Sequence, residues 1–144
     1  MTSPVPRSTL AALACAAALV FASPSMAAMV NLKADMKASN EVPPNDSKGN
    51  GSLTATYDDA SKKLTWKGST TGLSGPATAA HFHAGETGKN GAVVVPITGA
   101  DKGAFEGSET LTDAQAADML AGKWYVNVHT AANKGGEIRG QLTK

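Results

Sequence analysis

Short runs in which apolar and polar residues alternate one for one, each closed by a turn signal, confine this chain to an all-β fold. Successive side chains of a strand point to opposite faces. Val30, Leu32, Ala34 and Met36 therefore share one face of their run, and Leu53, Ala55 and Tyr57 share one face of the next. Asp58-Asp59-Ala60-Ser61 is turn chemistry, and in the run from Lys63 to Ser69, Leu64 and Trp66 face away from Lys63 and Thr65. Those two runs read as a hairpin. Asn40-Glu41-Val42-Pro43-Pro44-Asn45-Asp46 is no interior strand, because its prolines remove donors and lock the backbone.

Further strands are expected over Ala80–Gly85, Ala92–Ile97, Ala104–Glu109, Lys123–Thr130 and Glu137–Leu142. About seven or eight short strands at this spacing read as a sandwich or barrel. Leu111 to Gly122 breaks the pattern. Thr112 and Gln115 make a capping box, Ala116, Ala117, Met119 and Leu120 have helical spacing, and Gly122 marks the stop. One short helix near 112–121 is predicted. Met36 and Met119 are assigned to the core.

Arg7, an apolar run from Leu10 to Ala22 too short to cross a bilayer, and Ser25-Met26-Ala27 make an export signal cleaved after Ala27. Cys15 lies inside that run, and Ala12-Leu13-Ala14 before it matches a lipoprotein anchor poorly. Residues 28–144 then form one domain without cysteine, and hence without disulfides, periplasmic or secreted from a bacterium. The chain has 13 basic and 12 acidic residues, and loss of Arg7 leaves that domain at net zero. With no basic block and no aromatic-basic interleaving, a nucleic-acid partner is excluded. No second apolar stretch calls for a membrane.

The chemistry lies in the histidines. The chain has three, in Ala80-His81-Phe82-His83-Ala84-Gly85 and Tyr125-Val126-Asn127-Val128-His129-Thr130. A His-x-His pair on a strand puts two imidazoles on one face about 7 Å apart at the backbone. If the second strand lies beside the first, His129 completes a cluster, and imidazole suits copper, zinc, iron and nickel. The plain alternative is three histidines on a solvated sheet face. Val126 and Val128 point to the core, so Tyr125, Asn127 and His129 take the polar face. The Gly135-Gly136 turn makes a hairpin with the closing strand, whose Ile138 and Leu142 face the core. Glu137, Arg139 and Gln141 then continue the polar face, with Arg139 able to lie near His129. Glu41, fixed by Pro43 and Pro44, could reach back to Arg139. Arg139, Glu41 and Glu137 are thus candidates for the groups surrounding the ligands. Asp58 and Asp59 suit a hairpin turn. The Gly85–Gly91 segment matches neither a P-loop nor a dinucleotide fingerprint, and no Gly-x-Ser-x-Gly elbow is present.

Asn40-Glu41-Val42-Pro43-Pro44, His81-Phe82-His83-Ala84-Gly85, Asn90-Gly91, Tyr125-Val126-Asn127-Val128-His129-Thr130 and Gly136-Glu137-Ile138-Arg139-Gly140-Gln141-Leu142 together resemble the CHRD domain, named for chordin. The resemblance covers nearly all of residues 28–144 in family order. It implies an immunoglobulin-like β-sandwich and little about activity. The histidine pattern is also similar, more weakly, to Cu,Zn superoxide dismutase, where a His-x-His strand and a later histidine hold copper on a Greek-key barrel near an arginine. The zinc-holding histidines and the disulfide of that family are missing.

Three functions follow as expectations. The first is an exported, non-enzymatic metal-binding domain, for copper with zinc as the alternative, on His81, His83 and His129. The second is a metal-free module whose loops, including Asn40–Asp46 and Gly85–Gly91, contact a protein or a cell-surface polymer. The third is a copper redox enzyme in which Arg139 attracts an anion.

Overall fold

The structure, a computed structural model, describes residues 27–144; the proposed export signal therefore lies outside the described residues except for Ala27. The alternating runs become β1 (Met29–Lys37), β2 (Asn50–Asp58), β3 (Lys63–Thr71), β4 (Ala77–Ala84), β5 (Val93–Ile97), β6 (Ala104–Thr110), β7 (Trp124–Thr130) and β8 (Ile138–Gln141). The non-alternating stretch becomes helix α1 (Asp113–Leu120). All-β architecture, eight strands and one helix are as the sequence predicts. No helix among the described residues is long and apolar enough to cross a membrane.

The strands pair into one antiparallel sheet in the order β5-β4-β7-β8-β1-β2-β3-β6. This sheet curls over itself around one core. Trp66 on β3 meets Phe82 on β4 edge-to-face at 5.2 Å between ring centroids, although the two strands lie toward opposite ends of the sheet. Trp124, on β7 beside β4, lies 5.9 Å from Phe82. Leu32, Ala34, Met36, Leu53, Ala55, Tyr57, Leu64 and Trp66 are all buried, which is the alternation read from the sequence. Truncating a fully enclosed ring such as Phe82 costs about 3–5 kcal/mol. Its burial also fixes β4 about its axis, so that His81 and His83 must face away from the core.

Helix α1 begins as its sequence dictates. Gln115 N–H donates to Thr112 Oγ1 at 3.2 Å, and Thr112 N–H donates to Gln115 Oε1 at 2.9 Å. Ala116 and Met119 turn inward, and the helix carries the chain from the sheet edge at β6 to the interior strand β7.

Candidate metal centre

Strand register places the histidines. β4 and β7 pair antiparallel, with His81 opposite Asn127, His83 opposite Tyr125 and Ala79 opposite His129. All four polar groups of the two His/Asn-x-His pairs therefore sit on one face of two adjacent strands. His81, His83 and His129 converge, each offering a ring nitrogen, with these atoms all within 4.8 Å of one another. The closest pair is His81 Nδ1 and His129 Nε2 at 3.2 Å.

Two of the rings are aimed by the backbone. His83 Nδ1 donates to the Gly91 carbonyl at 2.9 Å, and His129 Nδ1 donates to the Lys134 carbonyl at 2.9 Å. A carbonyl only accepts, so in each neutral ring the proton is on Nδ1 and the lone pair on Nε2. Ligand histidines in metal proteins are commonly held this way. The Gly91 carbonyl can approach because that residue is glycine: a Cβ there would lie 1.5 Å from the Ala84 carbonyl oxygen. Burial, with the neighbouring rings His129 and His83 adding to it, lowers the His81 pKa below 6.5. Burial also lowers that of His129, against the Lys134 carbonyl, with His83 assisting. Both rings are thus neutral at neutral pH, the form that binds metal.

The face bearing these rings is not solvated. Tyr125, Asn127 and Arg139 are buried, and so is His83, while His81 and His129 are half-buried. The cover is the 85–91 loop, pinned by Arg139. Its guanidinium donates to the carbonyls of Glu86 at 3.2 Å and Lys89 at 2.6 Å and to Asn90 Oδ1 at 3.2 Å. It also stacks on Tyr125, 3.4 Å from the ring centroid, while His83 stacks on the same ring at 4.7 Å. Asn90 in turn donates to the Val42 carbonyl at 2.8 Å, tying in the proline loop. Arg139 lies opposite Asn127 in the β7–β8 register, but Tyr125 and the loop engage its donors rather than His129. Its effect on the rings is indirect, through the loop that presents Gly91.

Glu41 and Glu137 part company. Glu41 is buried beside Asn127; both side chains crowd Gly136, whose φ of 131° and lack of a Cβ leave them room. Burial pushes the Glu41 pKa up to about 7, against the Arg139 charge and the Asn127 amide. Arg139 thus acts on Glu41 through its charge, without a direct hydrogen bond. Glu137 makes no hydrogen bond to the histidines. It accepts from Ser47 Oγ at 2.5 Å, Ser74 N–H at 2.7 Å, Ser74 Oγ at 2.6 Å, Asn133 Nδ2 at 3.2 Å and Thr130 Oγ1. Among the sequence candidates, the structure therefore gathers His81, His83 and His129, puts Glu41 behind them, and sets Arg139 and Glu137 to other work.

Asn127 is the neighbour that the sequence reading passed over. Its Oδ1 lies 2.9 Å from His83 Nε2 and 3.0 Å from His129 Nε2. The available signal was its spacing from His129, the same as that between His81 and His83.

In comparison with known proteins, the family model of the CHRD domain matches residues 32–142. No curated protein matches the chain, and no solved structure does.

Proposed function

The chain belongs to the CHRD domain family, and from that premise and the geometry of the rings we propose that it is an exported metal-binding domain holding one ion on His81, His83 and His129. The observation that carries the reading is the convergence of three ring nitrogens, two of them oriented by backbone carbonyls. Copper(II) is the favoured ion, since it heads the divalent affinity series for nitrogen ligands, with zinc as the alternative. Export rests on the Arg7-to-Ala27 pattern and places the domain in the periplasm or outside the cell.

A redox role in which Arg139 draws in an anion has less support, because the guanidinium is buried and its donors already face loop oxygens. The metal-free interaction module predicts instead that protein purified without chelator or histidine tag carries no metal.

Wild-type protein is expected to bind one equivalent of copper(II) at neutral pH, and His129→Ala to lose it, read by mass spectrometry of the metal content. Unchanged copper in His129→Ala, or no copper in the wild type, overturns the reading. The lowered pKa values of His81 and His129 mean that protons compete late. Copper should therefore stay bound as pH falls past 6.5, the ordinary imidazole value, and leave only in stronger acid.

A further inference from the structure

We infer that Asn127 is the fourth donor of this site, its amide oxygen completing a set of three nitrogens and one oxygen. The inference rests on the three-histidine reading and extends it. With Nδ1 of His83 and His129 both donating to backbone carbonyls, their Nε2 atoms present lone pairs. Both lone pairs face the same Asn127 Oδ1, at 2.9 and 3.0 Å, and that atom is itself an acceptor. His81 Nδ1 lies a further 3.2 Å from His129 Nε2. The two Nε2 lone pairs and the Asn127 oxygen, gathered this closely without a proton between them, repel one another. A cation among them turns the repulsion into coordination.

The backbone supports the same grouping. Asn127 and His129 are two residues apart on β7, His81 and His83 two apart on β4, and His81 is registered directly opposite Asn127. The amide nitrogen points the other way, toward the buried Glu41 beside Gly136. The amide lowers the Glu41 pKa as a donor, and the buried Glu41 Oε1 has no other hydrogen-bond partner, so the carboxyl draws the N–H and leaves the oxygen toward the rings. An amide oxygen beside imidazole nitrogens makes a mixed nitrogen and oxygen set of the kind that suits copper(II).

The competing arrangement turns the amide over, so that its NH2 donates to both Nε2 atoms and closes the cluster without an ion. Two substitutions separate the alternatives. Asn127→Ala removes oxygen and nitrogen together. Asn127→Asp keeps an oxygen and removes the N–H donors. Copper(II) affinity, measured by competition titration on the full folded chain, and the copper electron paramagnetic resonance spectrum are the readouts.

The expected result is that Asn127→Ala weakens copper by about tenfold or more, a loss that even outer contacts to a metal ligand can cause. Asn127→Asp should bind at least as tightly as wild type, with an altered spectrum from its charged oxygen. Equal weakening in both variants overturns the inference in favour of the N–H donor role, and affinity and spectrum unchanged in both overturn it outright. In either case copper binding by the wild type leaves the three-histidine reading standing. A wild type that takes up no copper sinks both. Should Asn127→Ala fail to fold, the near-isosteric Asn127→Asp decides alone.

Discussion

Two glutamates are buried within the same corner of this sheet, and their chemistry has been driven in opposite directions. Burial resists ionisation of both, since it penalises the charged form. For Glu137 that penalty is outweighed by the donors from Ser47, Ser74 and Thr130, and its pKa falls to about 2. For Glu41 the Arg139 charge, the Asn127 amide and the Val42 N–H do not suffice, and the pKa rises to about 7. The lesson is that inaccessibility alone does not decide a carboxyl group's state; the number of hydrogens aimed at it does. Glu137 is a fixed anion around which three loops are gathered. Glu41 is a carboxyl poised to change state next to the candidate metal centre.

The largest test removes the anion. Glu137→Ala leaves the hydroxyls and N–H groups of three segments turned toward an empty space. It should destabilise the protein by about 3–5 kcal/mol, as for other broken buried charge networks, measured by urea unfolding at pH 7. A loss under about 1 kcal/mol would dissolve the contrast between the two glutamates.

The next test uses pH. Glu137, depressed below its ordinary 4.5, contributes stability that is present above pH 4.5 and lost as pH falls toward 2. Glu41, raised above 4.5, contributes stability that is full below pH 4.5 and lost as pH rises through 7. Each limb is on the order of 3 kcal/mol. Glu41→Gln should flatten the neutral limb while leaving the acid limb in place, followed by unfolding free energies of metal-free protein between pH 3 and 9. If the wild type shows no decline from pH 5 to 8, the buried state assigned to Glu41 is wrong.

The smallest test sharpens the account of the donors. Ser47→Ala deletes one hydroxyl from Glu137 and also the acceptor for Gly49 N–H, and should cost about 1–2 kcal/mol. Its acid limb should move to higher pH than that of the wild type.

Much of the scaffold was readable because it obeys a local period. Leu53, Ala55 and Tyr57 announce their inward face, and Thr112 with Gln115 announces the start of α1. The histidine convergence was readable too, from a His-x-His spacing and a second histidine strand. What escaped was the covering of the polar face. The 85–91 loop has no periodicity, and its docking depends on Arg139, about fifty residues further along the chain. Tyr125 and Asn127 alternate correctly with Val126 and Val128, yet they are buried because a loop closes over them rather than because they face the core. For the same reason Arg139 meets Tyr125 and the loop instead of His129. Glu137 finds partners at Ser47 and Ser74 that no spacing rule connects to it.

β8 is the shortest interior strand, yet it joins β7 to β1 and so links the two halves of the sheet. It also supplies the guanidinium that fastens the loop over the rings. The His83 ring, encoded about 55 residues before it, is thus held by a loop that this C-terminal strand fastens. Until Ile138 to Gln141 emerge and insert, a growing chain lacks the guanidinium that fastens this loop over the rings.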